Sequence, residues 1–591
     1  MVDPITLEVL RNRLDAIANE MQVTLLRSAV SVILKEGEDC SCGLFDLAGE
    51  TIAQACANPL HLGIMSPAVR AFLEVFPPAT LADGDVYVLN DPYMGGTHLP
   101  DVILAAPIFA NGRAVAMSAA LAHQEDMGGK TPGSMPADAT EIFQEGLIIP
   151  PSRLYERGVP NHTLVNLIKR NVRLPDMVMG DIAAQLASVK VGARAFRAMM
   201  DEFSEATVAE AMETLRRQAE ALTRRRLAEI PDGTYHFHDF VDNDGIDVDR
   251  RVRLEVAVTV QGSDVVVDFS GTAPQTRGPV NIGYWGTVSS VYFVFRAFAG
   301  PDIPVNGGAT APIKVVVPEG TVLNPRYPAP VSIRAHTAKR VVDALVGALA
   351  QAVPAGLPAA SSGSMSVCSF GGIDARSGRR FGCTDIVAGG MGARPTKDGI
   401  DLIETDITNC MNIPAEAFEA HYPLRVLKTR YRADSGGPGR FRGGIGIERT
   451  IEAVQGPIQC SFRSDRHYTS PWGLRGGLPA ARWVTRVERV GGAVETVPSK
   501  RVFVLETGDR LIMETGGGGG FGDPLERAPE RMLEDVIDGK VSVEAARRDY
   551  GVVVTSKWQV DGAATEELRA SMRRTRGPVT WIFDRGDGLR A

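Results

Sequence analysis

Val86-Tyr87-Val88-Leu89-Asn90-Asp91-Pro92-Tyr93-Met94-Gly95-Gly96-Thr97-His98-Leu99-Pro100-Asp101 reads as a short apolar strand running into a loop. Pro92, Gly95, Gly96 and Pro100 forbid regular structure across that loop. Two apolar runs follow at 102–109 and 114–120, joined by Asn111-Gly112, a strong signal for a two-residue hairpin turn. The second run continues into Ala122-His123-Gln124-Glu125-Asp126-Met127-Gly128-Gly129. Two strands thus each adjoin a glycine-bearing loop that carries His and Asp. If the hairpin pairs, both loops converge on one point.

Upstream, Asp3 can cap a helix that opens on Pro4. Leu7, Leu10, Leu14, Ile17, Met21 and Leu25 recur at three- or four-residue spacing, which predicts an amphipathic helix to about residue 30. Short strand-like pieces stand at 42–45 and 85–89. Downstream, 181–229 has a helical pattern, and 199–230 holds neither glycine nor proline before Pro231-Asp232-Gly233 stops it. Strands are expected at 234–240, 252–260 and 264–269, and a helix at 340–353, ended by Pro354. Beyond about 360 glycine is dense and strands look short; 526–550 looks helical, and the last 40 residues resemble a peripheral tail. The fold class is therefore mixed α+β and multi-domain. The expected divisions are 1–200 (the helix-and-strand region with the His/Asp loops), 201–230 (a helical connector), 231–360 (a βα middle domain), 361–525 (β-rich and glycine-rich) and 526–591 (a helical tail).

The 591 residues are 44% hydrophobic and 23% charged, close to a soluble globular average. Sixty-three basic residues against 71 acidic ones leave a net charge of −8, without the positive excess that nucleic acid attracts. No apolar run approaches the length of a membrane span. The N-terminus has no basic segment followed by an apolar one, so no signal peptide is expected. Seven sparse cysteines without paired spacing fit reduced thiols and a cytoplasmic location rather than disulfides or a thiolate-only metal site. Gly129-Lys130-Thr131 lacks the glycine five residues earlier that a phosphate loop needs. Gly517, Gly519 and Gly522 match a dinucleotide pattern, but Asp523-Pro524 stands where a helix should open. The run 516–520 reads instead as a glycine-rich surface loop, and no nucleotide site is visible.

Imidazole nitrogen and carboxylate oxygen suit zinc, manganese or iron(II). His98, Asp101 and His123 are candidates, and the acidic segment Lys35-Glu36-Gly37-Glu38-Asp39-Cys40 offers a further carboxylate. The same residues also suit turns with backbone-bonded histidines, and spacing alone leaves both readings open. Cys40 or Cys42 would be a nucleophile if a histidine served as base, or small buried residues at a strand start. Glu141 and Glu145 have i,i+4 spacing, for acid–base work or one solvated helix face. Arg334 and His336 suit an anion site or a structural ion pair, and Asp465-Arg466-His467 suits a turn network.

Taken together, Asn90-Asp91-Pro92-Tyr93, Gly95-Gly96-Thr97-His98-Leu99-Pro100-Asp101, Glu141-Ile142-Phe143-Gln144-Glu145-Gly146, Asn171-Val172-Arg173, Asp434-Ser435-Gly436-Gly437 and Gly522-Asp523-Pro524 resemble the hydantoinase B/oxoprolinase family. The resemblance runs from Asp3 to about Tyr550. That family holds the B subunits of ATP-dependent hydantoinases, the C-terminal half of 5-oxoprolinase and the caprolactamase β subunit, with acetone and acetophenone carboxylase subunits related to it. It implies metal ligands at Asp39, His98, Asp101 and His123. One departure is Gln124, where relatives commonly carry a second histidine.

The resemblance further implies a hetero-oligomer with an ATP-binding A-type subunit. That partner binds ATP and magnesium and phosphorylates the oxygen of a small cyclic amide. On this chain, water activated by the divalent metal then attacks carbon and phosphate leaves, with Asp126 expected as the base. Neither nucleic acid nor membrane enters this scheme. The alternatives are the metal-containing subunit of an ATP-dependent ketone carboxylase, a non-catalytic assembly subunit, and a cysteine amidase acting through Cys40.

Overall fold

The computed structural model describes residues 2–353 and 356–586. Asp3 caps the helix Pro4–Ser28 by accepting from the N–H groups of Ile5 and Thr6. The N-terminal sheet contains β1 (Cys40–Phe45), β2 (Thr51–Gln54), β3 (Val86–Leu89), β4 (Asp101–Ala110), β5 (Arg113–His123), β6 (Ser152–Glu156) and β7 (Val159–Pro160). Its order is β2-β1-β5-β4-β3-β6-β7, antiparallel throughout. Asn111 and Gly112 both take positive φ, as the β4–β5 turn requires.

Alternation along β4 explains its unbroken apolar run. Val102 and Leu104 enter one core with the Pro4–Ser28 and Pro175–Phe203 helices. Ile103 and Ala105 enter another, with the Pro59–Val75 helix on the opposite face. A strand covered on both faces needs apolar residues at every position. Gln185 ties the hairpin to the Pro175–Phe203 helix by donating to the carbonyls of Val102 and Ala120.

The uninterrupted helix expected across 199–230 is two helices, Pro175–Phe203 and Glu205–Leu227. Ser204, at φ +66°, breaks them, and its hydroxyl accepts from the Thr207 N–H to start the second. Local hydrogen bonding by serine outweighs the helical composition around it. A second sheet follows, β8 (Gly233–Val241), β9 (Val252–Gln261), β10 (Asp264–Asp268) and β11 (Ile313–Val316), in order β11-β10-β9-β8 with β10 and β11 parallel. The helix expected at 340–353 spans Arg334–Leu349, so Arg334 and His336 occupy its first turn. Pro354 lies outside the described residues.

Further on, Ser366–Asp374 pairs with Arg379–Val387 and Ile458–Arg463 in a four-stranded sheet, beside a five-stranded sheet that includes Gly446–Ala453 and Arg510–Glu514. The run 516–520 is not a surface loop. All five glycines are buried, and a Cβ on Gly518 would stand 2.0 Å from the Met391 carbonyl oxygen. Backbones approach too closely there for any side chain, which is a different use of glycine from positive φ. The tail is likewise anchored: Phe583–Asp584 pairs with Gly473–Leu474, and the Phe583 ring lies 5.0 Å from Phe237 and 5.3 Å from Trp472. No helix among the described residues is long and apolar enough to cross a membrane.

Candidate metal centre

The β4–β5 register sets Asp101 directly opposite His123. Gly95, at φ +102°, turns the preceding loop, and Asn90 holds it by donating to the carbonyls of Leu99 and Leu147. The loop delivers His98 to the same point. His98 Nε2 lies 3.0 Å and His123 Nδ1 2.9 Å from Asp101 Oδ1, and the two nitrogens are 3.2 Å apart. Ligands roughly 2.1 Å from a shared ion stand about 3.0–3.4 Å from one another, so this triangle has the size of a coordination face.

The pairing of β1 with β5 brings the fourth expected ligand close. The backbone N–H of His123 donates to the Asp39 carbonyl at 3.0 Å, and Asp39 Oδ2 lies 3.8 Å from His123 Nδ1. Asn58 donates to Asp39 Oδ1 at 3.1 Å. Asp39 therefore stands at the rim of the triangle rather than inside it. His61, in the first turn of the Pro59–Val75 helix, was not expected from the sequence. Its Nε2 lies 3.6 Å from Asp39 Oδ1 and 3.7 Å from Asp101 Oδ2, between the two carboxylates. The only sequence trace is a rare histidine placed just after the Asn58-Pro59 helix start.

Residues remote in sequence hold the cluster. The Arg334 guanidinium reaches Asp101 Oδ2 at 2.5 Å, and the Thr97 hydroxyl donates to the same oxygen. His98 Nδ1 lies 3.2 Å from the Ser332 carbonyl oxygen. Donation there leaves the Nε2 lone pair facing the cluster, the arrangement a ligating histidine needs. Glu145 in turn fixes Ser332: its Oε1 accepts from the backbone N–H groups of Val331 and Ser332, both at 2.8 Å. Glu145 is fully buried whereas Glu141 is exposed, so the two do not share one solvated helix face.

Electrostatics follow burial and charge. Burial and the Arg334 charge push His98 down to about 3, so its imidazole is neutral. Burial opposes protonation of His123, but the Asp101 hydrogen bond and the Asp39 charge outweigh it and raise its pKa. Burial lowers His61 against the pull of Asp101 and Asp39. Burial acts against ionised Asp101, yet the Arg334 charge and the His123 hydrogen bond hold its carboxyl well below the usual range. A cavity of about 50 Å³ opens on the cluster, with Asp39, His61, His98 and His123 in its wall.

Other expected residues lie elsewhere. Asp126 is 1% exposed and absent from the cavity wall. Its Oδ1 accepts from the backbone N–H groups of Gly128 and Arg173, and its Oδ2 pairs with the Arg173 guanidinium at 2.9 Å. Both oxygens are committed to closing the loop. Gln124, the first residue after β5, does not join the cluster and donates instead to Gln185. Cys40 and Cys42 are fully buried, and burial raises the Cys40 thiol pKa and pushes Cys42 up to about 12, which removes the thiolate a nucleophile requires. The turn network expected at 465–467 is instead long-range: Arg466 pairs with Asp239 and Asp343, 227 and 123 residues away in sequence, and all three are buried.

The donors fit a divalent ion. Two imidazoles and two carboxylates offer two negative charges and a nitrogen–oxygen set suited to zinc, manganese or iron(II).

Residues 3–524 match the family model described as hydantoinase B/oxoprolinase. The chain is 34% identical over 585 residues to the B-type subunit of a putative D-/L-hydantoinase from Pseudomonas sp. (strain NS671), covering 96% of this chain and 98% of that one. It is 31% identical over 581 residues to the caprolactamase beta subunit of Pseudomonas jessenii, covering 96% and 99%. The crystal structure of that organism's ATP-dependent caprolactamase aligns at a TM-score of 0.86 and 30% identity, over 96% of this chain and 100% of that one. The fold alone extends to a nucleotide-free acetone carboxylase structure, at a TM-score of 0.90 and 23% identity over 97% of this chain and 83% of that one. Loop motifs, sheet architecture and whole-length similarity agree: the chain belongs to the hydantoinase B/oxoprolinase family.

Proposed function

We propose that this chain is the hydrolytic subunit of an ATP-dependent cyclic amidohydrolase, opening a hydantoin, 5-oxoproline or lactam ring. Its main support is the Asp101 carboxylate gripped between His98 and His123, with both histidines in the wall of a cavity. Similarity to a putative hydantoinase B-type subunit and to the caprolactamase beta subunit supports the substrate class and a partner subunit, and similarity to an ATP-dependent caprolactamase supports the use of ATP.

His98, Asp101 and His123, with Asp39 at the rim, would hold the divalent ion. That ion would lower the pKa of water and polarise the reacting oxygen. Arg334 and Thr97 fix the Asp101 carboxylate, and Ser332 fixes the His98 ring. Water attack on the ring carbon must give up a proton, and the departing ring nitrogen must gain one. His61 serves both needs. Its imidazole is neutral, lines the cavity, and lies 3.6 Å and 3.7 Å from two carboxylates that stabilise its protonated form. Asp126, with both oxygens spent on Arg173 and the loop, takes no part in proton transfer.

An amide is a poor electrophile, and O-phosphorylation by the partner activates its carbon: addition of one water and departure of the protonated ring nitrogen leave an acyl phosphate, which a second water hydrolyses to carboxylate and phosphate. The test is reconstitution with an A-type partner, ATP, and a panel of hydantoins, 5-oxoproline and lactams, reading ring opening and phosphate release. The reading requires ATP-dependent ring opening that His98→Ala abolishes. Activity confined to ketone and bicarbonate would assign the chain to the carboxylase alternative.

A further inference from the structure

Four arginines rank among the largest fully buried side chains: Arg340, Arg463, Arg466 and Arg527. Three of them have acidic partners. Arg340 and Arg466 both pair with Asp343, and Arg527 pairs with Asp535. Arg334, nearly buried in the same cavity wall as Arg463, has Asp101.

Arg463 differs. It ends the strand Ile458–Arg463, and among the described residues no carboxylate pairs with it. Its guanidinium donates to the carbonyls of Met135 at 2.9 Å and Ser461 at 3.0 Å, and to the Ser369 hydroxyl at 3.0 Å. Those neutral acceptors fix its position and leave its charge uncancelled. Burial lowers its pKa only to about 10, so it remains cationic at neutral pH. It lines the same cavity as His61, His98 and His123. A buried cation without a counter-ion is costly, and a cavity wall is the one place where a ligand can supply that counter-ion.

We propose that Arg463 seats an anion subsite beside the histidine–aspartate cluster, and that this subsite receives the phosphoryl oxygens of the activated amide. The identity of the anion rests on the function proposed above; the existence of the subsite does not. Guanidinium is suited to it, because its fork matches paired phosphoryl oxygens and its charge persists at every working pH. The cluster would address the ring carbon while Arg463 holds the group that departs from it.

Inorganic phosphate is the probe, titrated calorimetrically into the full-length chain after its metal content is measured. Wild type should bind phosphate saturably. Arg463→Met should weaken that binding by roughly tenfold or more, as expected for a charge-assisted hydrogen bond, with metal content unchanged. Arg463→Lys preserves the buried charge should the methionine variant fail to fold. It should still lose roughly threefold, because an ammonium cannot bridge two oxygens as a guanidinium does. No saturable binding by wild type up to roughly 10 mM phosphate, or equal affinity in wild type and the folded variants, overturns the proposal. The titration contains no ATP, partner or cyclic amide. A ring-opening failure therefore leaves its result intact, and a negative titration leaves the hydrolase reading standing.

Discussion

Asp101 and His123 are direct cross-strand partners, 22 residues apart in sequence, and their side chains meet at 2.9 Å. One is the first residue of β4 and the other the last of β5, so the closed hairpin alone creates the contact. Asp101 also neutralises Arg334 from a helix that starts 233 residues later. Asp101→Asn keeps the shape and removes the charge, leaving Arg334 buried without a counter-ion. We expect a loss of about 3 kcal/mol in urea unfolding, the range for breaking a buried ion pair. A change below about 1 kcal/mol would mean that Arg334 is solvated or repairs elsewhere.

Glu145 gives the protein a pH dependence of known sign. Burial pushes its carboxyl from 4.5 up to about 8, although Ser332 and Val331 donate to it. Between those values the folded chain keeps a proton that the unfolded chain has released, so stability falls as pH rises through the window. Glu145→Gln keeps the acceptor for the two backbone N–H groups and removes the titration. Denaturant midpoints taken across that window should decline less steeply in the variant than in wild type. Parallel curves would show that Glu145 is ionised in the fold.

Cys40 tests the thiol alternative. It is fully buried, with a raised pKa, and the Gln22 amide donates to its sulfur. In the reconstituted system Cys40→Ala should keep ring-opening activity within about twofold while losing about 1–2 kcal/mol of stability as a small cavity forms. Loss of activity in a folded, metal-bearing variant would revive a cysteine mechanism.

Gly518→Ala probes the close-packed glycines. The added Cβ would meet the Met391 backbone at 2.0 Å, and no flexible side chain is there to move aside. A loss of about 3 kcal/mol or more is expected from thermal or urea unfolding. By contrast Gly491→Ala, where the added Cβ meets nothing, should change stability by under about 0.5 kcal/mol. Similar effects at both positions would contradict the packing account.

The hairpin was legible because its signals are local: an Asn-Gly turn and apolar runs on either side. Register then made the convergence of His98, Asp101 and His123 readable as well. Contacts fixed by the tertiary fold were not. Nothing near Ser332 announces that Glu145, 187 residues away, clamps its backbone, or that Arg334 completes the Asp101 site. Ser204 stops a helix that composition would continue, because one side-chain hydrogen bond at a positive φ outweighs the propensity around it. Asp126 shows the converse. It stands three residues after His123, yet the chain turns at Gly128 and its carboxylate pairs with Arg173. The glycines at 516–520 look like a flexible loop until their partners' carbonyls are seen above them.

The proposed seat of the divalent ion is His98, Asp101 and His123, with Asp39 beside them. Metal content by inductively coupled plasma mass spectrometry tests it most directly, on wild type and His98→Ala purified side by side without chelator. Close to one zinc, manganese or iron is expected per wild-type chain and little in the variant, with both folded by circular dichroism. Metal-free wild type after metal-replete growth, or equal metal in both proteins, would contradict it.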